Sequence, residues 1–194
     1  MSTSAEATAP GGRRCTPDRR ARRAAGTGFG VAIMLLALVA FVSPRAARAG
    51  AGLEPADELL VVKSERRLYL LRGGEPFRSY RVALGLNPVG HKQHEGDFRT
   101  PEGRYRLDGR NPASDFYLSL HVSYPSPRDL DNARMHHWQP GGSIMIHGLP
   151  NVPKHPADYY RRADWTNGCI ALSNSDMLEV WLLTRPDTPI EIRP

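Results

Sequence analysis

Cys169 and His147 are the two side chains in this sequence best suited to nucleophilic chemistry. Cys169 closes Thr166-Asn167-Gly168-Cys169 and leads into the apolar run Ile170-Ala171-Leu172. The 194-residue chain has two cysteines, and the other, Cys15, lies in an arginine-rich leader. Residues 50–194 therefore carry one thiol and can form no internal disulfide. His147 ends a second apolar run, Ile144-Met145-Ile146, and precedes Gly148, 22 residues before the cysteine. A thiol with a pKa near about 8.5 is mostly protonated at neutral pH. A neighbouring imidazole can take its proton to give a thiolate–imidazolium pair, whose mark is a depressed thiol pKa. Glycine beside each residue lets the backbone approach a ligand closely. The N–H groups of Gly168 and Cys169 could then hold the oxyanion of an acyl-transfer intermediate. Residue types alone leave the matter open. A cysteine in an apolar run is more often a core residue, and a histidine after a strand is more often structural.

The surrounding polar residues have two readings each. Trp165, Thr166 and Tyr159 can wall a substrate cleft or simply pack. Arg161 and Arg162 can meet substrate carboxylates or form a solvated face. Asp97, Thr100 and Glu102 order a loop. His121 with His136-His137 lacks the spacing of a metal-ligand set, so no metal site is expected.

Presenting a Cys–His pair requires elements that end where the two residues stand. Residues 59–62 and 67–72 are strand-like, and Gly73-Gly74 then turns the chain into residues 77–84, which reads as a hairpin. Residues 86–100 are rich in Gly, His and charge and read as a loop. Further strands are expected at 105–107, 116–122, 143–147, 168–172 and 188–192. A short helix is expected within 125–135, starting near Ser126 or Pro127, and a helical turn within 151–162. Ser173 with Asp176 resembles a capping box, and Met177, Val180, Trp181 and Thr184 share one helical face, so a helix of roughly three turns follows. The expectation is a mainly-β domain, a sandwich or barrel of about seven strands with one substantial helix.

Charge narrows the function further. The formal charge is +6, from 26 basic and 20 acidic residues. Eight arginines against Glu6 and Asp18 fall within residues 1–49, and the rest of the chain balances. The basicity belongs to the leader, so composition offers no electrostatic footprint for nucleic acid. The leader has an arginine-rich start, an uncharged apolar run over residues 26–42, and Ala47-Arg48-Ala49 before Gly50. This is the layout of a secretory signal peptide, with an uncleaved inner-membrane anchor as the alternative. The expected organisation is a leader at 1–49, a linker at 50–57 and one domain at 58–194, exported to the periplasm or cell envelope.

Several ordered motifs together resemble the L,D-transpeptidase catalytic domain family (YkuD type). Ile146-His147-Gly148 and Thr166-Asn167-Gly168-Cys169-Ile170-Ala171-Leu172 resemble its active-site elements. Gly96-Asp97-Phe98-Arg99-Thr100-Pro101-Glu102-Gly103-Arg104-Tyr105 resembles its upstream segment. Asn111 to Ser114, Leu118-Ser119-Leu120, Ser123-Tyr124-Pro125, Pro140-Gly141-Gly142 and the opening hairpin follow in the family's order, so the likeness spans about residues 58–192. The resemblance implies the family's β-rich fold and no cofactor. It implies that Cys169 attacks the carbonyl at the L-centre of diaminopimelate in a peptidoglycan stem tetrapeptide and expels D-Ala. The thioester then passes to an amine, giving a 3→3 cross-link or attachment to a wall or outer-membrane protein. His147 is then base and acid, Gly148 orients it through its carbonyl, and the Gly168 and Cys169 amides hold the oxyanion. Carbapenem sensitivity is a further implication. Asn167 stands where the family usually has a second histidine, and Ala171 where it usually has an arginine. Asn167 can donate a hydrogen bond but cannot shuttle a proton near neutral pH. The acceptor is therefore the open point: an L,D-carboxypeptidase or amidase would use water, and a wall-binding module would use no nucleophile at all.

Overall fold

The computed structural model describes residues 54–194. The expected leader and its cleavage site lie outside the described residues. Eight strands, one more than the sequence count, form a mixed sheet: β1 (Glu58–Val62), β2 (Arg67–Arg72), β3 (Glu75–Arg81), β4 (Gly103–Ser114), β5 (Tyr117–Val122), β6 (Met145–His147), β7 (Ile170–Ala171) and β8 (Pro189–Arg193). Three helices join them: α1 (Pro127–Met135), α2 (Ala157–Arg162) and α3 (Asn174–Leu183). The fold is mainly β, as expected, with α1 nearly as long as α3.

The strand order is β3-β2-β1-β8-β4-β5-β6-β7. β4 is the corner of the sheet. Its first residues pair with β8, Gly103 opposite Ile192. From Leu107, opposite Val122, it pairs with β5 through an irregularity at Leu107/Gly109. An irregularity of this kind bends and twists a strand, which lets one strand serve two sheet faces. The chain leaving β3 then bridges to the far edge, Ala83 with Ala171 and Gly85 with Thr166, so the two ends of the sheet meet.

Alternation drives this arrangement. Leu59 and Val61 of β1, Leu68 and Leu70 of β2, Leu120 and Val122 of β5, and Ile190 and Ile192 of β8 all point inward and are buried. Met177, Val180 and Leu183 of α3 close the same core, Trp181 is half-buried against it, and Thr184 turns its hydroxyl back onto the Val180 carbonyl. Ser126 caps α1 with the full reciprocal box to Asp129, whereas Ser173 supplies only its own half to Asp176 N–H. Ala56, read in the sequence as linker, is buried and donates its N–H to Leu183 O.

The loop over residues 86–102 is fixed by buried polar groups. Lys63, at 2 % exposure, donates to Gly90 O, Thr100 O and Glu102 Oε1 at 2.6, 3.0 and 2.8 Å. His91 accepts from Glu102 N–H through Nδ1 and reaches Asp129 through Nε2. A loop this long stays ordered because its backbone groups find internal partners.

Candidate active site

β6 and β7 run side by side and parallel, with Ile146 opposite Ile170 and His147 opposite Ala171. Ile146 and Ile170 face the core at 0 % exposure. The other face therefore carries Met145 and His147 from β6, and Cys169 and Ala171 from the β7 side. Cys169 thus comes level with Met145, whose N–H donates to Sγ at 3.4 Å. The thiol in turn reaches Ser143 O at 3.7 Å. Both Cys169 and His147 open into one cleft of about 680 Å³, together with Lys92, Phe116, Thr166 and Asn167.

His147 is held in one tautomer. Its Nδ1 lies 2.7 Å from Gly148 O, and a carbonyl can only accept, so Nδ1 carries the proton and Nε2 is left as a base. The imidazole lies against two aromatic rings, Phe116 at 4.6 Å and Trp165 at 5.6 Å between centroids. Burial there disfavours the charged ring and lowers its pKa from 6.5 to about 4, against the opposing bond to Gly148. Burial also pushes the Cys169 thiol up, against the Met145 N–H and the Lys92 charge. Burial thus favours the neutral form of each group. The direction for the thiol is opposite to the depressed pKa that marks a resting thiolate–imidazolium pair. For the imidazole the reason is the aromatic wall: Phe116 and Trp165 replace the water that would stabilise an imidazolium.

Gly168 is fixed by sterics. Its φ is +124°, and a Cβ there would lie 2.7 Å from Arg99 O. Its N–H donates to Thr166 Oγ1 at 3.1 Å, while that hydroxyl donates to Cys169 O at 2.8 Å. The Gly168 amide, expected as an oxyanion donor, is thus engaged within the turn. The Cys169 N–H makes no hydrogen bond among the described residues, so it is the one of the two left for that task. Gly148 sits where three segments converge, and a Cβ would meet Asn174 Oδ1 at 2.7 Å and Tyr117 Cβ at 2.9 Å.

Trp165, Thr166 and Asn167 all line the cleft. Tyr159 lines a neighbouring hollow of about 230 Å³ that shares Phe116 and Trp165 with it. Arg161 is elsewhere. It lines a separate hollow of about 180 Å³ with Ala171, pairs with Asp158, and accepts Arg81 Nε at its carbonyl. Three contributors were missed in the sequence: Phe116, Lys92 and Ser143. Nothing in their spacing marks them, since they come from a strand entry and two irregular segments. A larger hollow, about 960 Å³, lies against His91, Asp129 and Arg193 and includes neither Cys169 nor His147.

Comparison with known proteins bears on this geometry. The family model of the L,D-transpeptidase catalytic domain, YkuD, matches residues 56–192. This chain belongs to the L,D-transpeptidase catalytic domain family. Within it, 94 residues, 45 % of the chain, are 33 % identical to a protein of Escherichia coli K12 provisionally described as L,D-transpeptidase YafK, covering 36 % of that protein. The fold is similar to that of the helical cell shape determining protein Pgp2 of Campylobacter jejuni, at a TM-score of 0.53 and 25 % identity. That match covers 70 % of this chain and 46 % of Pgp2. A K307A mutant of Pgp2 matches with a TM-score of 0.52 and 26 % identity. The chain thus spans about a third of YafK's length and under half of Pgp2's.

Proposed function

We propose that this chain is an exported peptidoglycan L,D-transpeptidase working by cysteine acyl transfer. The observation that carries the reading is the shared face of β6 and β7, which turns the Cys169 thiol and an imidazole with an unprotonated Nε2 into one cleft. A stem tetrapeptide lies in the cleft with the carbonyl at the diaminopimelate L-centre over Sγ. As the S–C bond forms, the thiol proton passes to His147 Nε2. The oxyanion lies against the Cys169 N–H. The C–N bond to D-Ala then breaks, and Nε2 returns its proton to the leaving amine. An acceptor amine attacks the thioester, gives a proton to Nε2, and expels the thiol, which takes that proton back.

Neutral resting partners suit this scheme. The thiol ionises only as the carbonyl arrives, so the charge pair exists only while the bound peptide shields it from water. The acceptor is an amine: the side-chain amine of a second stem peptide, or a lysine of a wall-attached or outer-membrane protein. Export is proposed from the leader, and an envelope location suits a substrate that lies outside the inner membrane.

The test is to incubate the purified protein with disaccharide tetrapeptides and separate the products by mass spectrometry. Cross-linked dimers with release of D-Ala are expected. Tripeptides alone would replace transfer by hydrolysis, and unchanged tetrapeptide would overturn the proposal. Chain-end sequencing of protein from the envelope fraction tests export, with a start at Gly50 expected.

A further inference from the structure

Lys92 is an unusual lining residue for a catalytic cleft. It is 3 % exposed, yet its side chain borders the same space as Cys169 and His147. Two of its three ammonium hydrogens are accounted for, by His94 O at 2.9 Å and Asp97 Oδ1 at 2.8 Å. The third has no partner among the described residues. An ammonium donates three hydrogen bonds and accepts none, and a buried charge short of one partner is costly unless a ligand completes it.

Asp97 does not cancel this charge at the cleft. It lies outside the cleft lining, and its side chain is 7 % exposed. Its carboxylate also accepts from Gln93 N–H, His94 N–H and Arg99 N–H at 2.7, 3.2 and 3.1 Å. Burial alone would push the Asp97 carboxyl up, but the Lys92 ammonium and these three amides outweigh it and hold it at about 2. Lys92 is therefore braced in place by His94 O and Asp97. The carboxylates that share the cleft, Glu95 and Asp115, are exposed. The charged group buried within the cleft is thus a cation.

We infer that the third N–H of Lys92 binds a carboxylate of the acyl donor and makes a free carboxylate beside the scissile bond a condition of efficient reaction. This rests on the acyl-transfer reading above. The two residues joined by the scissile bond carry one such group each, the terminal carboxylate of D-Ala and the D-centre carboxylate of diaminopimelate. Either presents the oxygen atoms that an ammonium takes in a short charge-assisted bond. A neutral amide at the same place offers only its carbonyl and turns an N–H₂ group toward a cation.

The experiment compares donors and variants together. The full protein is assayed with the acid donor, with a donor amidated at the terminal carboxylate, and with one amidated at the diaminopimelate D-centre. Each is repeated with Lys92→Met. With native protein, one of the two amidations raises KM by on the order of ten- to a hundredfold, and which one identifies the carboxylate. In Lys92→Met, KM for the acid donor rises by a similar factor and that amidation adds nothing further. A merely structural Lys92 would lower turnover on all three donors alike, and native protein indifferent to both amidations would overturn the inference without any variant. Absence of turnover on every donor by native protein, together with no binding of the acid donor to Cys169→Ala, would instead remove the acyl-transfer reading on which this rests.

Discussion

Acidification is the perturbation that probes the His147 environment most sharply. The imidazole is 4 % exposed, with Phe116 at 4.6 Å and Trp165 at 5.6 Å. The gap between 6.5 and about 4 corresponds to roughly 3 kcal/mol in favour of the neutral ring. Two consequences follow. First, Nε2 remains a base well below pH 6, so the acid limb of kcat/KM that belongs to His147 falls near pH 4 rather than near 6.5. Second, the unfolded chain binds this proton before the folded one does. The stability contributed by a neutral His147 is fully present above about 6.5, declines as pH falls from there, and is lost by about pH 4. The direct assay is an NMR titration of the imidazole nitrogens, with the Nδ1–H tautomer expected throughout the neutral range. Phe116→Ala admits water to one ring face and is expected to raise the His147 pKa toward 6.5 and the acid limb with it. A native His147 that titrates between 6 and 7, or one that Phe116→Ala leaves unmoved, would refute the argument from aromatic desolvation.

Three other outcomes are expected. The Cys169 thiol, pushed up by burial, should alkylate slowly with iodoacetamide at pH 7 and faster as pH rises past 9; a rate already at its plateau at pH 7 would indicate a resting thiolate. Gly168→Ala adds a Cβ 2.7 Å from Arg99 O at a φ of +124°. That strain is worth about 1–3 kcal/mol, lowering the thermal midpoint by several degrees, and the displaced Cys169 should cost on the order of a hundredfold in turnover. Lys63→Met strands the Gly90 and Thr100 carbonyls and Glu102. It should destabilise the fold by about 3–5 kcal/mol in urea unfolding, and a loss below about 1 kcal/mol would contradict the role given to Lys63 in fixing the 86–102 loop.

The contrast between Ile170 and Lys92 shows what was legible in the sequence. Strand alternation and punctuation are local, so the hairpin at Gly73-Gly74, the Ser126 and Ser173 caps and the strand ends at His147 and Cys169 could all be read directly. Strand order is not local. Nothing near Cys169 says that β7 lies parallel to β6, and that pairing is what brings the two reactive side chains to one face. β4 was read as three residues because Asp108, Gly109 and Asn111-Pro112 interrupt the pattern, yet the irregular pairing with β5 carries the strand on to Ser114. Lys63 and Lys92 are the hardest cases. A lysine in a polar loop is normally solvated, and only the carbonyls and carboxylates that converge on it in space make burial tolerable. The bias of the Cys–His pair toward its neutral forms was hidden for the same reason, since Phe116 reaches His147 from 31 residues earlier in the chain.

The acyl-enzyme tests the central claim most directly. The protein is mixed with excess tetrapeptide, quenched in acid within the first turnover, and measured by intact mass and peptide mapping. The account predicts a mass gain equal to the tetrapeptide less D-Ala, located on Cys169, absent from Cys169→Ala and strongly reduced in His147→Ala. Release of D-Ala at an undiminished rate by Cys169→Ala, or an acyl group on any other residue, would contradict it.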